Sequence, residues 1–524
     1  MIKVFLIRCY GTMQPPNAEP LAVETLAGAL KQRFGNQINV ELLMLDERDD
    51  PDGSKLADRL ASRSAIDIVG LSIPQSTYFL ALGFLNRLRE ILISPLIVLG
   101  HALPTHAPDA FLSNFPDALI VRGWGETAIC DIVEQYRTGS PDWYKVHSLM
   151  FMQGGRVITT PVVWPRTLSS PLRFRPLDFF VRIESSRGCH YDVCTFCTRQ
   201  PRGSKTSSWF RFPVDLVLKE VAYLQTQGIT KFTFADEDFV GNDLEGAENI
   251  AYGLKEIGGM QFSLSLRVDN VYNPNESDVL ASRRLNLFHL LKDAGLSLVY
   301  FGVESLSDTQ LKRYGKGVRA KDSVRAVEAI EEIGIPMELG YILFDPLLTV
   351  SELQENVHWL TTRSFSKYIG QLFNNLRVQR DTAFANLLKY RGLLGEFNPN
   401  TIEYNYKYQD HTVAKIATIC LKWKEEIDEV YALARNVQRT DFNSTHCEIF
   451  VRQIRLLELD MLKQLLSSIY IKNDIKIDSY FLYHRYNLVD QLKQKIRSSQ
   501  ITSPSIHFLS LAIDRFLEQK TEIL

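Results

Sequence analysis

The chain has 524 residues, more than one hydrophobic core usually organises, so two or three domains are expected. With 45% hydrophobic residues, 23% charged residues and a formal net charge of −2, it reads as a globular protein without the basic footprint of a nucleic-acid or anionic-membrane binder. Seven cysteines, three of them crowded between positions 189 and 197, fit a reducing cytoplasm and a metal site better than a disulfide framework.

The N-terminus, Met1-Ile-Lys-Val-Phe-Leu-Ile-Arg8, lacks the apolar stretch and cleavage site of a secretory signal and reads as a first strand. No apolar run approaches the roughly 18 to 20 residues that span a bilayer. Over residues 1–140, short apolar runs (Lys3–Ile7, Val40–Leu45, Ile66–Ile73, Leu96–Leu99, Ala118–Val121) alternate with amphipathic stretches. That order predicts a doubly wound, Rossmann-like α/β domain with a ligand beyond the carboxyl ends of its strands. Those ends carry Ser72, Gln75, Thr77, Gly100, His101, Gly123 and Glu126.

Residues 141–177, rich in Pro, Arg and Ser, read as a crossing linker. From 178 to 385, six strand candidates (Phe179–Ser185, Lys231–Phe234, Phe262–Leu266, Leu298–Val303, Glu338–Leu343, Gln371–Leu376) alternate with helical patterns, which predicts a partial (β/α)6 TIM-like barrel. Residues 386–524 read as a helical cap, with apolar stripes at Val413, Ile416, Cys420, Trp423 and Ile427 and at Phe450, Ile454, Leu457, Met461 and Leu465.

The first barrel strand runs into Glu184-Ser-Ser-Arg-Gly-Cys189-His-Tyr-Asp-Val-Cys194-Thr-Phe-Cys197. Three thiolates on one loop can converge on a metal centre, and three on a four-iron cluster leave one iron open. The alternatives are a zinc knuckle completed by His190 or a distant residue, or three packed cysteines. His190 itself reads as an exposed loop histidine, while Cys9, Cys130 and Cys420 read as inert core residues.

This loop resembles that of the radical S-adenosylmethionine (SAM) superfamily, with Phe196 before the last cysteine as in that family and with C-x4-C-x2-C in place of C-x3-C-x2-C. The extra residue adds about 3.3 to 3.6 Å of reach, which a loop bulge can absorb. Further resemblances follow in Phe234-Ala-Asp236-Glu237-Asp238-Phe239, in Ser265 and Arg267, in Tyr300-Phe-Gly-Val-Glu304-Ser305 with Lys316-Gly317, and in Gly340-Tyr-Ile342-Leu-Phe344. The resemblance implies a 4Fe-4S cluster on Cys189, Cys194 and Cys197. It also implies that the acidic trio receives the SAM amino group, that Ser265 and Arg267 face the ribose and methionyl carboxylate, and that Glu304 and the Ile342 backbone complete the pocket. A guanidinium suits a carboxylate because it donates two parallel hydrogen bonds.

The N-terminal region resembles the cobalamin-binding domain of one large branch of this superfamily, with Val98-Leu-Gly-His101 and Val121-Arg-Gly-Trp-Gly-Glu126 at the matching places. No Asp-x-His-x-x-Gly occurs, so cobalamin would bind without a protein histidine below the cobalt. The implied activity is reductive cleavage of SAM to a 5'-deoxyadenosyl radical and cobalamin-dependent C-methylation of a small natural-product intermediate. A flavodoxin or ferredoxin is implied as reductant, and Cys447 is a candidate hydrogen-atom donor. The rival readings are a non-methylating radical reaction, such as dehydration, rearrangement or epimerisation, with an empty cobalamin-type domain, and a cluster or zinc binding module without catalysis.

Overall fold

The computed structural model describes residues 1–15, 17–63, 66–91, 94–164, 169–198, 209–440 and 445–469. In the N-terminal region seven strands, β1 (Ile2–Tyr10), β2 (Ile38–Asp46), β3 (Ile68–Ser72), β4 (Leu96–Gly100), β5 (Leu119–Val121), β6 (Leu149–Gln153) and β7 (Arg156–Thr159), form one sheet in the order β2-β1-β3-β4-β5-β6-β7. The first five pair in parallel, and helices pack on both faces, giving two separate apolar cores. Burial on both faces explains why these strands read as continuous apolar runs.

The hairpin β6–β7 lies inside the segment expected as a linker. Its two-residue turn is Gly154-Gly155, with φ of 57° and 74°, a geometry that matches the twist of the flanking strands and that glycine adopts without penalty. Weak periodicity around the prolines concealed it.

In the barrel, β8 (Arg182–Ile183) is followed by an antiparallel side ribbon of β9 (Ser186–Gly188) and β10 (Trp209–Arg211). Then β11 (Lys231–Phe234), β12 (Gln261–Arg267), β13 (Leu296–Glu304) and β14 (Met337–Tyr341) complete a five-stranded parallel sheet in the order β14-β13-β12-β11-β8. The sixth expected strand, Gln371–Leu376, is not part of this ladder; isolated parallel bridges join Leu339 of β14 to Ile369, just before the segment, and Asn375 within it to Phe344, beyond the end of β14. Asn374 is the cause. Its Nδ2 donates to Gln371 O (2.9 Å) and its own N–H to Leu372 O (3.0 Å), so a local turn competes with the ladder.

After the barrel, a hairpin of β15 (Leu394–Asn398) and β16 (Glu403–Tyr406) appears where only helix was expected. Its tip docks on the N-terminal domain: Ser76 N donates to Asn400 O (2.7 Å) and Tyr78 N to Asn400 Oδ1 (3.0 Å). Two helices, His411–Thr440 and Thr445–Ile469, then pack Val413, Ile416, Cys420, Trp423, Ile427, Ile454, Met461 and Leu465 into the barrel core. No helix among the described residues is long and apolar enough to cross a membrane.

Candidate active site

The carboxyl ends of the N-terminal parallel strands face those of the barrel across one cavity of about 1340 Å³. Parallel α/β sheets and barrels both present ligands at that end, so the two architectures point their sites at each other. The cavity wall carries Cys189, Cys194 and Cys197 together with Phe196, Glu237, Ser265, Arg267, Glu304 and Ile342 from the barrel. From the opposite side it carries Ser72, Gln75, Gly100, His101, Gly123 and Glu126.

The cysteine loop is held from behind. Thr195 N donates to Tyr314 O (2.8 Å), Thr195 Oγ1 to Arg313 O (2.9 Å), and Phe384 N to Thr195 O (2.9 Å), while the Phe196 ring meets Tyr314 edge-on at 5.4 Å. Between the first two cysteines, Asp192 adopts a left-handed φ of 42°, a conformation Asp tolerates better than most residues. The longer Cys189 to Cys194 spacing is thus taken up in a turn. Burial raises the Cys189 and Cys194 thiols, opposed at Cys189 by N–H groups of Asp192 and Tyr191 and at Cys194 by the charges of Lys316 and Arg267. Arg267 Nη1 lies 3.9 Å from Cys194 Sγ.

Amide donors and cations aimed at half-buried sulfurs fit thiolates bound to iron. Among the described residues no group of three or more His, Cys, Asp or Glu side chains is arranged to hold one metal ion. His190 is half-buried rather than exposed, with Nδ1 against Asp238.

The acidic trio divides. Asp236 is buried off the cavity wall, accepting from Ser185 N (2.8 Å) and from the Ser185 and Ser186 hydroxyls, and burial pushes its carboxyl up to about 6. Asp238 is likewise buried, against Asn270 Nδ2 (2.5 Å) and His190. Glu237 alone of the three lines the cavity, its Oε2 accepting from Gly188 N (3.0 Å). Asp236 and Asp238, both expected to bind ligand, are thus placed off the cavity wall, where they hold the loop bases.

Arg267 is also differently employed. Its Nε and Nη2 form a bidentate pair with Asp269 (2.9 and 3.0 Å), and Nη2 donates to Lys316 O (2.8 Å). The fork expected for a methionyl carboxylate is occupied, which leaves Nη1 facing the cysteine loop. Glu304 closes β13 with a φ of 68°, and its Oε1 meets Lys316 Nζ at 3.2 Å. Gly302 leaves the room, since a Cβ there would stand 2.8 Å from Glu304 Oε1 and 3.0 Å from Lys316 Nζ. Lys316 was legible in the Lys-Gly pair but not assigned to the site.

On the facing side, Gly100 opens onto the cavity, with Val121 O at 3.8 Å the nearest atom to an added Cβ. Gly123 has φ 74° and His101 φ 79°. The His101 side chain is exposed on the cavity wall yet deep among protein atoms. That burial and the charges of Arg8 and Arg182 hold its imidazole well below the ordinary value, hence neutral. Ser72 Oγ accepts from Arg8 Nη1 (3.0 Å), and Gln75 Oε1 accepts from Arg377 Nη2 (2.8 Å). Thr77, also expected at the ligand site, is buried off the wall and donates to Pro74 O (2.8 Å). The open glycine cradle and a volume spanning both domains fit a large planar cofactor. Sequence reasoning missed Trp124 and Trp164, packed edge-on at 4.0 Å, and Lys424, which the C-terminal helix brings to the wall. The Cys447 side chain lies outside the described residues.

Residues 183–360 match the family model described as the radical SAM superfamily. The chain is 28% identical over 319 residues to the 4'-phospho-dehydrooxetanocin synthase of Priestia megaterium, covering 56% of this chain and 42% of that protein. It is 26% identical over 310 residues to an uncharacterized methyltransferase of Pyrococcus horikoshii, covering 56% of this chain and 63% of the relative. The chain thus spans less than two thirds of the length of either relative. Among solved structures, the cobalamin-dependent S-adenosylmethionine radical enzyme OxsB with aqua-cobalamin superimposes with a TM-score of 0.85 at 20% identity, covering 99% of this chain and 84% of that one. The radical S-adenosylmethionine methyltransferase TsrM from Kitasatospora setae gives 0.58 at 17% identity, covering 70% of this chain and 71% of that one. Residues 183–360 are thus similar to the radical SAM domain, which implies a 4Fe-4S cluster and SAM, and the chain shares the fold of the cobalamin-dependent OxsB over 99% of its length and of TsrM over 70%.

Proposed function

We propose that this enzyme binds cobalamin beside the cluster and SAM in the interdomain cavity and methylates an unactivated carbon of a small molecule. The observation that carries this reading is that one cavity is lined at once by the three cluster cysteines and by the carboxyl ends of the N-terminal strands. A reduced cluster with SAM supplies a 5'-deoxyadenosyl radical, and methylcobalamin supplies a transferable methyl group; the protein supplies binding, orientation and exclusion of water. Cys189, Cys194 and Cys197 hold the cluster. Glu237 offers an acceptor to the SAM amino group, Glu304 fixed by Lys316 a second carboxylate, and Ser265 and the Ile342 backbone flank the nucleoside. Gly100, Gly123 and the neutral His101 line the cobalamin side, with Ser72, Gln75 and Glu126 at its edges. The net charge of −2, without a basic footprint, favours a small substrate over a nucleic acid, and a flavodoxin or ferredoxin is the reductant this chemistry needs.

A second reading is a non-methylating radical reaction. It is supported by the relative named as a synthase, the 4'-phospho-dehydrooxetanocin synthase, rather than as a methyltransferase. Anaerobically reconstituted protein given SAM, a strong reductant and cobalamin separates the two. 5'-Deoxyadenosine together with S-adenosylhomocysteine supports methylation, and deoxyadenosine alone moves the assignment to the second reading. Neither product from a protein with a full cluster would sink both.

A further inference from the structure

Arg187, two residues before the first cluster cysteine, is 3% exposed and lies between the Trp124 and Phe212 rings at 5.1 and 5.2 Å. Its Nε and Nη2 bind Glu184 (2.9 and 2.7 Å), and Nη2 lies 2.5 Å from Glu126 Oε1 in poor hydrogen-bond alignment, so that contact is ionic. Two carboxylates therefore surround one guanidinium. Its remaining donor, Nη1, is buried with no acceptor among the described residues, and the same is true of Trp164 Nε1. Both side chains line the cavity and both pack on Trp124, so two unmatched donors share one corner where the N-terminal domain meets the cluster strand.

Buried donors without acceptors are costly and rare in native proteins, which points to an acceptor supplied by a ligand. The carboxylate excess decides its chemistry, because a phosphate or carboxylate would be opposed by Glu126 and Glu184 while a neutral carbonyl oxygen would not. We infer that Arg187 Nη1 and Trp164 Nε1 form a donor subsite for a neutral amide carbonyl at the rim of a corrinoid. This rests on the cobalamin reading above.

The test is absorbance titration of the full-length, cluster-reconstituted protein with hydroxocobalamin and with cobinamide, which keeps the rim amides and lacks the phosphate and nucleotide. Trp164→Phe removes the N–H and keeps the ring packing. Its Kd is expected to rise about 5- to 10-fold for both corrinoids, as for one lost hydrogen bond, with iron content and Tm unchanged. Arg187→Lys should weaken both similarly. Wild type should also bind cobalamin hydrolysed to rim carboxylates at least about tenfold more weakly, a measurement that needs no variant. Equal Kd in Trp164→Phe, a loss confined to hydroxocobalamin, weakened SAM binding instead, or indifference to rim carboxylates would each overturn the subsite with the cobalamin reading intact. A wild type that takes up no corrinoid would overturn that reading and the subsite with it.

Discussion

Gly317 offers the sharpest test of how the cysteine loop is held. It has φ 74°, and a Cβ added there would stand 2.2 to 2.8 Å from Oη, Cζ and Cε2 of Tyr191, whose ring lies 4.0 Å beneath the Arg267 guanidinium between Cys189 and Cys194. Gly317→Ala therefore imposes two costs. A left-handed alanine costs about 1 to 2 kcal/mol. Displacing the ring forfeits a partly desolvated cation–π contact of about 0.5 to 2 kcal/mol, and shifts the Tyr191 N–H that points at Cys189. Gly392→Ala is the control: its φ is 68°, but nothing lies within 4 Å of the added Cβ, so it bears the backbone cost alone. The assay is iron and sulfide per chain after anaerobic reconstitution, with thermal unfolding beside it. Gly317→Ala should lose cluster and melt below Gly392→Ala, and removing the ring in Gly317→Ala/Tyr191→Ala should recover part of the Tm, a non-additivity that reports direct contact. If Gly317→Ala matches Gly392→Ala in both iron and Tm, the loop is not braced through Tyr191 and the reasoning fails.

Cys194→Ala should leave a folded protein without a cluster and without 5'-deoxyadenosine formation; retained turnover would refute its assignment. Glu304→Gln strips Lys316, 5% exposed in its side chain, of its carboxylate, and should weaken SAM binding at least about tenfold by calorimetry, as breaking a buried charged pair does; unchanged affinity would place Glu304 outside the pocket. Glu458, buried between Trp423 Nε1 (3.1 Å) and Tyr431 Oη (2.9 Å), is pushed by burial from 4.5 up to about 7. A carboxyl with a raised folded pKa contributes stability present below pH 4.5 and lost as pH rises through about 7, so Glu458→Gln should gain up to about 3 kcal/mol on wild type between pH 4.5 and 8. A Tm difference that does not change with pH would refute it.

The parts legible in the sequence are those where chemistry and period coincide. The βα alternation predicted both sheets because buried parallel strands leave continuous apolar runs, and the cysteine loop was legible because three thiols in nine positions have few structural uses. The acidic trio shows the limit: Asp236, Glu237 and Asp238 are alike on paper, and which of them reaches the cavity depends on a turn that gives Asp236 to Ser185 and Asp238 to Asn270. Arg267 was recognised, but Asp269, two residues on, was not seen as the partner that occupies its fork. The β15–β16 hairpin escaped because its docking rests on Asn400, whose contacts lie more than 300 residues away in sequence.

The same distance effect explains why the cavity has a definite width. Arg173 is clamped between Glu19 of the N-terminal domain and Glu220 of the barrel helix Val214–Thr226, and Arg182 N donates to Glu19 Oε2 (2.6 Å). Arg187 likewise stands between Glu126 of the N-terminal domain, in an ionic contact, and Glu184 of the barrel. Such buried pairs add little net stability, since desolvation offsets attraction, but the directional bonds of Arg173 and Arg182 to Glu19 and Glu220 admit one register where an apolar seam would slide. Because Arg187 also begins the segment that carries Cys189, the clamp that fixes the domains fixes the cluster loop. The spacing between the two halves of the site is then held by these arginine–glutamate clamps together with the docking of Asn400 on Ser76 and Tyr78 and of Arg377 on Gln75.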